Sequence, residues 1–249
     1  MTAAPTWTIL VPTLGERGAL FERLMAGLLP QLDPYEGRVR VVGWWNNGMP
    51  SLPEIRQKLV MATTTDYLSF VDDDDLVSPF YVAEIVRALE TGIVPCTCRA
   101  LTDGGGHSHG CRYQWPDYVG FQVQCYSDGH PTAIAYHSLA YGRWRNLKGR
   151  HERDISHINP MRTKIARSAD FRRTRRGAPE DRAWVDQLRR GGRLKAEVVV
   201  PRILYHYLYS TSRAHGLGSR WENTKLIRPG QRVELPWPTP YFTWSPDAR

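Results

Sequence analysis

Tyr67-Leu68-Ser69-Phe70-Val71-Asp72-Asp73-Asp74-Asp75 joins an apolar, aromatic run directly to four consecutive carboxylates. The run carries no charge until Asp72 and reads as a buried strand. Four adjacent carboxylates repel one another, so a fold tolerates them where solvent or a cation neutralises them. Two readings stay open from these residues alone: a solvated acidic turn, or a ligand site beyond the end of a strand.

Towards the N-terminus the same grammar repeats. Thr6-Trp7-Thr8-Ile9-Leu10-Val11, ended by Pro12, reads as a buried first strand. After Gly15, Phe21, Leu24, Met25, Leu28, Leu29 and Leu32 recur at helical spacing, and Pro34 is expected to stop that helix. Residues 39–45 predict a second strand, closed by the turn signal Asn46-Asn47-Gly48. Pro53 opens a second helix with Ile55, Leu59 and Val60 on its buried face. Beyond the aspartates, Ser78 is the expected N-cap and Pro79 the first residue of a third helix running to about Leu89. Strand-helix alternation of this kind predicts a parallel sheet with helices on both faces.

Past residue 92 the pattern loosens. Residues 118–126 and 132–137 read as strands around the turn Ser127-Asp128-Gly129-His130. Residues 180–190 read as a helix with Trp184 and Leu188 on one face and Gly191 ending it. Residues 196–200 and 203–209 are the last expected strands. From about Arg213 the chain is rich in Pro, Trp and Arg without periodicity, and it contains no internal repeat.

The 249 residues are 41% hydrophobic and 23% charged, a composition that folds around a proper core. No run of about 18 apolar residues predicts a membrane-spanning helix. Met1-Thr2-Ala3-Ala4-Pro5 lacks a basic region and an apolar signal core, so the expected location is cytoplasmic. The net charge of +8 is uneven: residues 143–193 hold 16 Lys or Arg against 6 Asp or Glu. Such a surplus suits a polyanion (nucleic acid, nucleotide phosphates, an acidic surface) or forms a solvated face. Four cysteines in such a chain do not make a disulfide scaffold. Cys96, Cys98, His107, His109 and Cys111 cluster around Gly104-Gly105-Gly106, where a structural zinc and an incidental loop are both readings, since the spacings are not those of common fingers.

In open α/β sheets ligands bind beyond the carboxyl ends of the strands. Carboxylates there suit Mg²⁺ or Mn²⁺, hard cations that commonly bridge diphosphates. Further landmarks follow in order. Pro12-Thr13 ends the first strand, and Asn46-Asn47-Gly48 ends the second. Arg56 stands 16 residues before Asp72. Pro179-Glu180-Asp181-Arg182-Ala183-Trp184 opens the late helix, and Tyr205-His206-Tyr207 precedes Ser210-Thr211-Ser212. In this order they resemble an inverting glycosyltransferase of family 2, with the GT-A fold and a DxD motif, over roughly residues 6–212. The wording of the chain, including Val42-Gly43-Trp44-Trp45, looks most like members encoded by tailed actinobacteriophages.

The resemblance implies a GT-A, Rossmann-like α/β domain: a mostly parallel sheet flanked by helices, an acceptor-side mixed region and an irregular tail. Residues 1–212 would be that domain, with a nucleotide-binding half (1–92) and an acceptor half (93–212), followed by a C-terminal extension (213–249). It implies nucleotide-sugar contacts at Pro12, Thr13, Leu14, Glu16, Asn46, Asn47, Arg56, Asp72 and Asp73. Asp74 and His206 would hold Mn²⁺ or Mg²⁺. Asp181 would be the catalytic base, kept ionised by the helix N-terminus. His157, Asn159, Arg162 and Glu180 are candidate acceptor or donor-sugar contacts, with a plain connecting loop as the alternative for 154–162. Two departures stand out. Asn46-Asn47 replaces the family's Asp-Asp, leaving a UDP-sugar favoured but the base open, and Gln57 replaces an Asn after Arg56.

The acceptor is open between protein, glycan and hydroxymethylated bases in DNA. Protein or glycan is preferred because no nucleic-acid-reading motif occurs. A phage-encoded enzyme would work in the host cytoplasm. The rivals are a nucleotidyltransferase, for which Leu14-Gly15-Glu16-Arg17-Gly18 is only a thin phosphate loop, and a non-catalytic nucleic-acid-binding module.

Overall fold

A computed structural model of the chain describes residues 4–46, 50–91, 115–173 and 179–210, together with the backbone of a short strand at 241–244. Asn47 and the cluster Cys96, Cys98, His107, His109 and Cys111 lie outside the described residues, as does most of the C-terminal extension.

The N-terminal half forms as the alternation predicts. Strand β1 (Trp7–Leu14) lies between β2 (Val39–Asn46) and β3 (Tyr67–Phe70), parallel to both. Pro12 does not end β1. Its pairing with β3 finishes at Leu10, so the strand runs on with β2 as its only paired neighbour among the described residues, a position that accommodates proline. Helix α1 (Gly18–Leu28) gives way to 3-10 geometry at Pro30, earlier than Pro34, because Pro30 has no N–H for the helical ladder. Helix α2 (Leu52–Ala62) is opened by a capping box of Ser51 and Glu54. Strand β4 (Leu76–Val77), which the sequence pattern does not announce, precedes α3 (Tyr81–Thr91).

In the second half, β5 (Tyr118–Ser127) and β6 (His130–His137) form the expected hairpin, with Asp128 and Gly129 at positive φ in its turn. Short strands β7 (Arg145–Leu147), β8 (Arg150–Arg153) and β9 (Met161–Arg162) and helix α4 (Thr163–Ala166) follow. Helix α5 (Glu180–Gly191) ends on Gly192 in the left-handed region, one residue beyond the expected glycine. The two final strands merge into β10 (Glu197–Tyr209), whose register against β5 shifts around Pro201. Proline cannot donate to the ladder, which accounts for the first shift, between Val200 and Ile203; a second shift, of one residue, follows between Ile203 and Tyr205. Within the extension, β11 (Tyr241–Trp244) pairs antiparallel with β2.

The main strand order is β11-β2-β1-β3-β9-β5-β6-β8-β7, with β10 running parallel to β5 and also pairing β4. Most paired positions lie in parallel ladders, and the antiparallel pairs gather in the second half. Strand alternation splits the core in two. Ile9 and Val11 of β1 join Phe21, Leu24, Ile85 and Leu89 of α1 and α3 on one face. Leu10 joins Ile55 and Leu59 of α2 and Trp184 of α5 on the other. Trp184 stacks on Phe171 at 4.7 Å, which seats α5 beside α2. The α/β class expected from the sequence is the class observed.

Candidate active site

The four aspartates leave β3 in a tight turn closed by the Asp75 N–H donating to the Asp72 carbonyl at 3.1 Å. That turn fans their side chains between two cavities. One, of about 430 Å³, is lined by Pro12, Thr13, Leu14, Arg17, Asn46, Arg56 and Asp72 to Asp74. The other, of about 360 Å³, holds Asp75, His157, Asp181 and a set of aromatic residues, and Asp72 lines both.

The charges are neutralised inside the protein. Thr13 Oγ1 donates to Asp73 Oδ2 at 2.7 Å, and Arg17 Nη1 lies 2.7 Å from Asp73 Oδ1. The same guanidinium reaches Asp74 at 3.2 Å, while Arg23 donates to the Asp74 carbonyl oxygen at 2.8 Å. Burial pushes the Asp73 carboxyl up to about 6 against the pull of Arg17. Arg56, itself buried, donates to Asp72 Oδ1 at 2.7 Å and to Glu180 at 2.6 Å, over the rings of Phe70 and Phe171. Burial would raise Asp72, but Arg56 and His157 overcome it and hold the carboxyl below its ordinary range. Asp75 accepts from the Tyr205 hydroxyl at 2.8 Å and the Leu208 N–H at 2.7 Å, and burial beside two other carboxylates raises its pKa well above the usual value.

His157 stands between the two cavities. Its Nε2 is 3.4 Å from Asp72 Oδ2 and its Nδ1 3.8 Å from Asp181 Oδ2. Asp181 sits in the first turn of α5, partly exposed, and accepts from the Arg182 N–H at 2.7 Å. Asn46 donates to the Pro50 carbonyl at 2.9 Å, and its buried Oδ1 has no partner among the described residues. That oxygen is an acceptor open to a ligand such as a base edge.

Several expected site residues take other places. Glu16 is exposed and lines neither cavity; its neighbour Arg17 turns inward. His206 meets the Tyr126 hydroxyl at 3.4 Å and lines neither cavity. Tyr205 and Tyr207 face the aspartates in its stead, because side chains alternate along β10. The structure therefore does not bring His206 to Asp74. Asn159 is buried and donates to the Val119 carbonyl at 3.1 Å. Arg162 binds the carbonyls of Trp115 and Pro116 and lies 3.3 Å from Asp117. Both tie strands together and neither lines a cavity. Glu180 serves as partner to Arg56, beside the site rather than in a cavity wall. Arg17 and Tyr205 went unrecognised in the sequence, where nothing local tells which residue of the turn after β1, or of β10, faces inward.

Much of the basic segment is also structural. Arg167 donates to the carbonyls of Met61 and Thr63, capping the end of α2, and Arg189 pairs with buried Asp154. Among the described residues no group of three His, Cys, Asp or Glu side chains forms a ready metal cage. The Asp74 carboxylate, 18% exposed at the first cavity, is nevertheless a hard oxygen ligand of the kind Mg²⁺ takes in ones and twos, substrate phosphates and water filling the other positions.

No protein-family model and no curated protein sequence matches the chain. Among solved structures it is similar to S. aureus TarS 1-349 in complex with UDP, with a TM-score of 0.49 and 12% identity over 85% of this chain and 62% of that one. The same protein in complex with UDP-GlcNAc gives 0.48 and 12% over 82% of this chain and 58% of that one. The complex of glucosyl-3-phosphoglycerate synthase from Mycobacterium tuberculosis with Mn²⁺, UDP and glucosyl-3-phosphoglycerate gives 0.47 and 15% over 85% of this chain and 75% of that one. The chain thus spans less than two thirds of the TarS structures it matches.

Proposed function

We propose that the chain is an inverting glycosyltransferase that moves a sugar from a nucleotide-sugar donor to an acceptor hydroxyl. The observation that carries this reading is the pair of cavities meeting at Asp72: one walled by Asp72 to Asp74, Thr13 and Arg56, the other holding Asp181. The first has the groups for a nucleoside diphosphate and the second for an alcohol that must lose a proton.

The nucleotide lies against Pro12, Thr13 and Leu14, with the Asn46 oxygen free to pair with a base edge. A UDP-sugar is the favoured donor. Asp74 would hold the cation, and Mn²⁺ or Mg²⁺ there would supply Lewis-acid stabilisation of the diphosphate leaving group. Arg17 presents a further positive charge beside the same carboxylates. In the transfer, the acceptor oxygen forms a bond to the anomeric carbon as the bond from that carbon to the diphosphate oxygen breaks. The electron pair leaves with the nucleoside diphosphate, and the acceptor proton passes to Asp181. His157, 3.4 Å from Asp72 and 3.8 Å from Asp181, stands between the base and the donor side.

A nucleotidyltransferase is disfavoured because the turn after β1 is pinned through Arg17 to Asp73 and Asp74 rather than left open as a phosphate cradle. The deciding experiment is isothermal titration against a panel of sugar nucleotides with Mn²⁺, followed by assay of nucleoside diphosphate release. Binding of one sugar nucleotide with release on adding acceptor is expected. Binding of nucleoside triphosphates alone, with pyrophosphate release, would overturn the reading.

A further inference from the structure

The second cavity carries features that the transfer chemistry does not require. Trp144, 42% exposed, lies in its wall. The Arg153 guanidinium is 4.7 Å from the centre of its ring and that of Arg182 is 4.4 Å away. Neither arginine has a carboxylate within ion-pair distance among the described residues; Arg153 donates only to the Arg145 and Glu152 carbonyls and the Asn146 side chain. Burial, and then the positive charge of Arg182, weaken the hold of Arg153 on its proton. The ring attracts both cations, but among the described residues no carboxylate balances the two like charges gathered on it beside Asp181. In the same wall, the Nδ1 atoms of His137 and His151 are buried and have no hydrogen-bond partner among the described residues. Tyr207 and Tyr209, both partly exposed, add flat apolar surface.

We infer that this cavity takes an acceptor glycosyl unit bearing an anionic group, a phosphate or a carboxylate, which Arg153 in its wall and Arg182, exposed beside Trp144 at its edge, hold while the sugar ring lies against the aromatic wall. The inference rests on the transferase reading and names the substrate class of its acceptor side. A guanidinium pair matches the oxygen geometry of either anion and forms charge-assisted hydrogen bonds with it. His137 and His151 meet sugar hydroxyls with their open nitrogens, and the tyrosine and tryptophan rings cover the sugar's apolar face. The paired charges are then compensated by the substrate. A single-stranded nucleic acid would also use rings and arginines. The two unpartnered histidine nitrogens in the wall favour a polyol instead.

The test titrates the full chain, in the presence of UDP and Mn²⁺, with a panel of neutral methyl hexosides, hexose phosphates, hexuronates and a single-stranded hexanucleotide. At least one phosphate or uronate is expected to bind on the order of tenfold more tightly than its neutral counterpart. Arg153→Gln and Arg182→Gln should each remove most of that difference while leaving the neutral sugar as it was. Which of the phosphates and uronates binds assigns the anion. The inference fails if no anionic sugar exceeds its neutral partner, if both variants retain the preference, or if the hexanucleotide binds best. The sugar-nucleotide panel titrated on the same samples reports the donor cavity separately: loss of all nucleotide binding there sinks the transferase reading, whereas anionic selectivity tracks only the arginine pair.

Discussion

Arg56 of α2 and Glu180 of α5 meet at 2.6 Å although 124 residues separate them in sequence. The same guanidinium holds Asp72 at 2.7 Å. One buried cation therefore ties the acidic turn of the first half to the helix that carries Asp181.

Removing that cation should unfold the arrangement as well as spoil the site. Arg56→Met leaves Asp72 and Glu180 without their shared partner, and breaking a buried pair costs about 3–5 kcal/mol. Urea unfolding should show a loss of this order, and Arg56→Met with Glu180→Gln should recover part of it. A single variant as stable as the wild type would show that the pair does not hold the two halves together.

Asp181 should affect turnover far more than donor binding. Asp181→Asn keeps the size of the side chain but cannot take a proton, so kcat is expected to fall about 10²–10⁴-fold. Titration with the sugar nucleotide should give a nearly unchanged Kd. An Asp181→Asn protein that turns over normally excludes the residue as the base.

Asp74 is the reporter for the divalent cation. Bound Mn²⁺, followed by its electron paramagnetic resonance, should appear with the nucleotide and disappear in Asp74→Asn or on adding EDTA. His206→Ala should leave that signal in place, since His206 faces Tyr126 and not the aspartates. Loss of the signal in His206→Ala, with Asp74→Asn unaffected, would reverse the assignment.

His137 should impose a pH slope on stability. Burial, then the nearby Arg153 charge, hold it neutral and lower its pKa from 6.5 to about 3. Between those values the unfolded chain binds more protons than the folded one. The contribution is thus present above pH 6.5 and is lost as the pH falls towards 3. His137→Asn should flatten Tm against pH across this window. An identical slope in the variant would mean that other groups set it.

The comparison of expectation with structure turns on the range of the interactions involved. Ile9, Leu10 and Val11, or Phe21, Leu24 and Leu28, announce their faces through spacings of two and of three to four residues, and they fold as announced. The acidic turn was legible for the same local reason, being the abrupt end of an apolar strand. Its neutralisation was not. Arg17 lies 56 residues from Asp73 and Tyr205 130 from Asp75, and no periodicity links such pairs.

The sequence by itself therefore determined the α/β alternation, the strand that ends in Asp72 and the helix that opens at Glu180. Tertiary structure alone decided which carboxylate faces which cavity and which arginines are ties and which are free to meet a ligand. His206 shows the reason. The register of β10 against β5 shifts by two residues between Val200 and Ile203 and by one between Ile203 and Tyr205, and the parity beyond the second shift turns Tyr205 inward and His206 away. Side chains alternate with a period of two, so a slip of one residue exchanges the faces of a strand. Local composition carries no record of that slip, because the partner strand sets it.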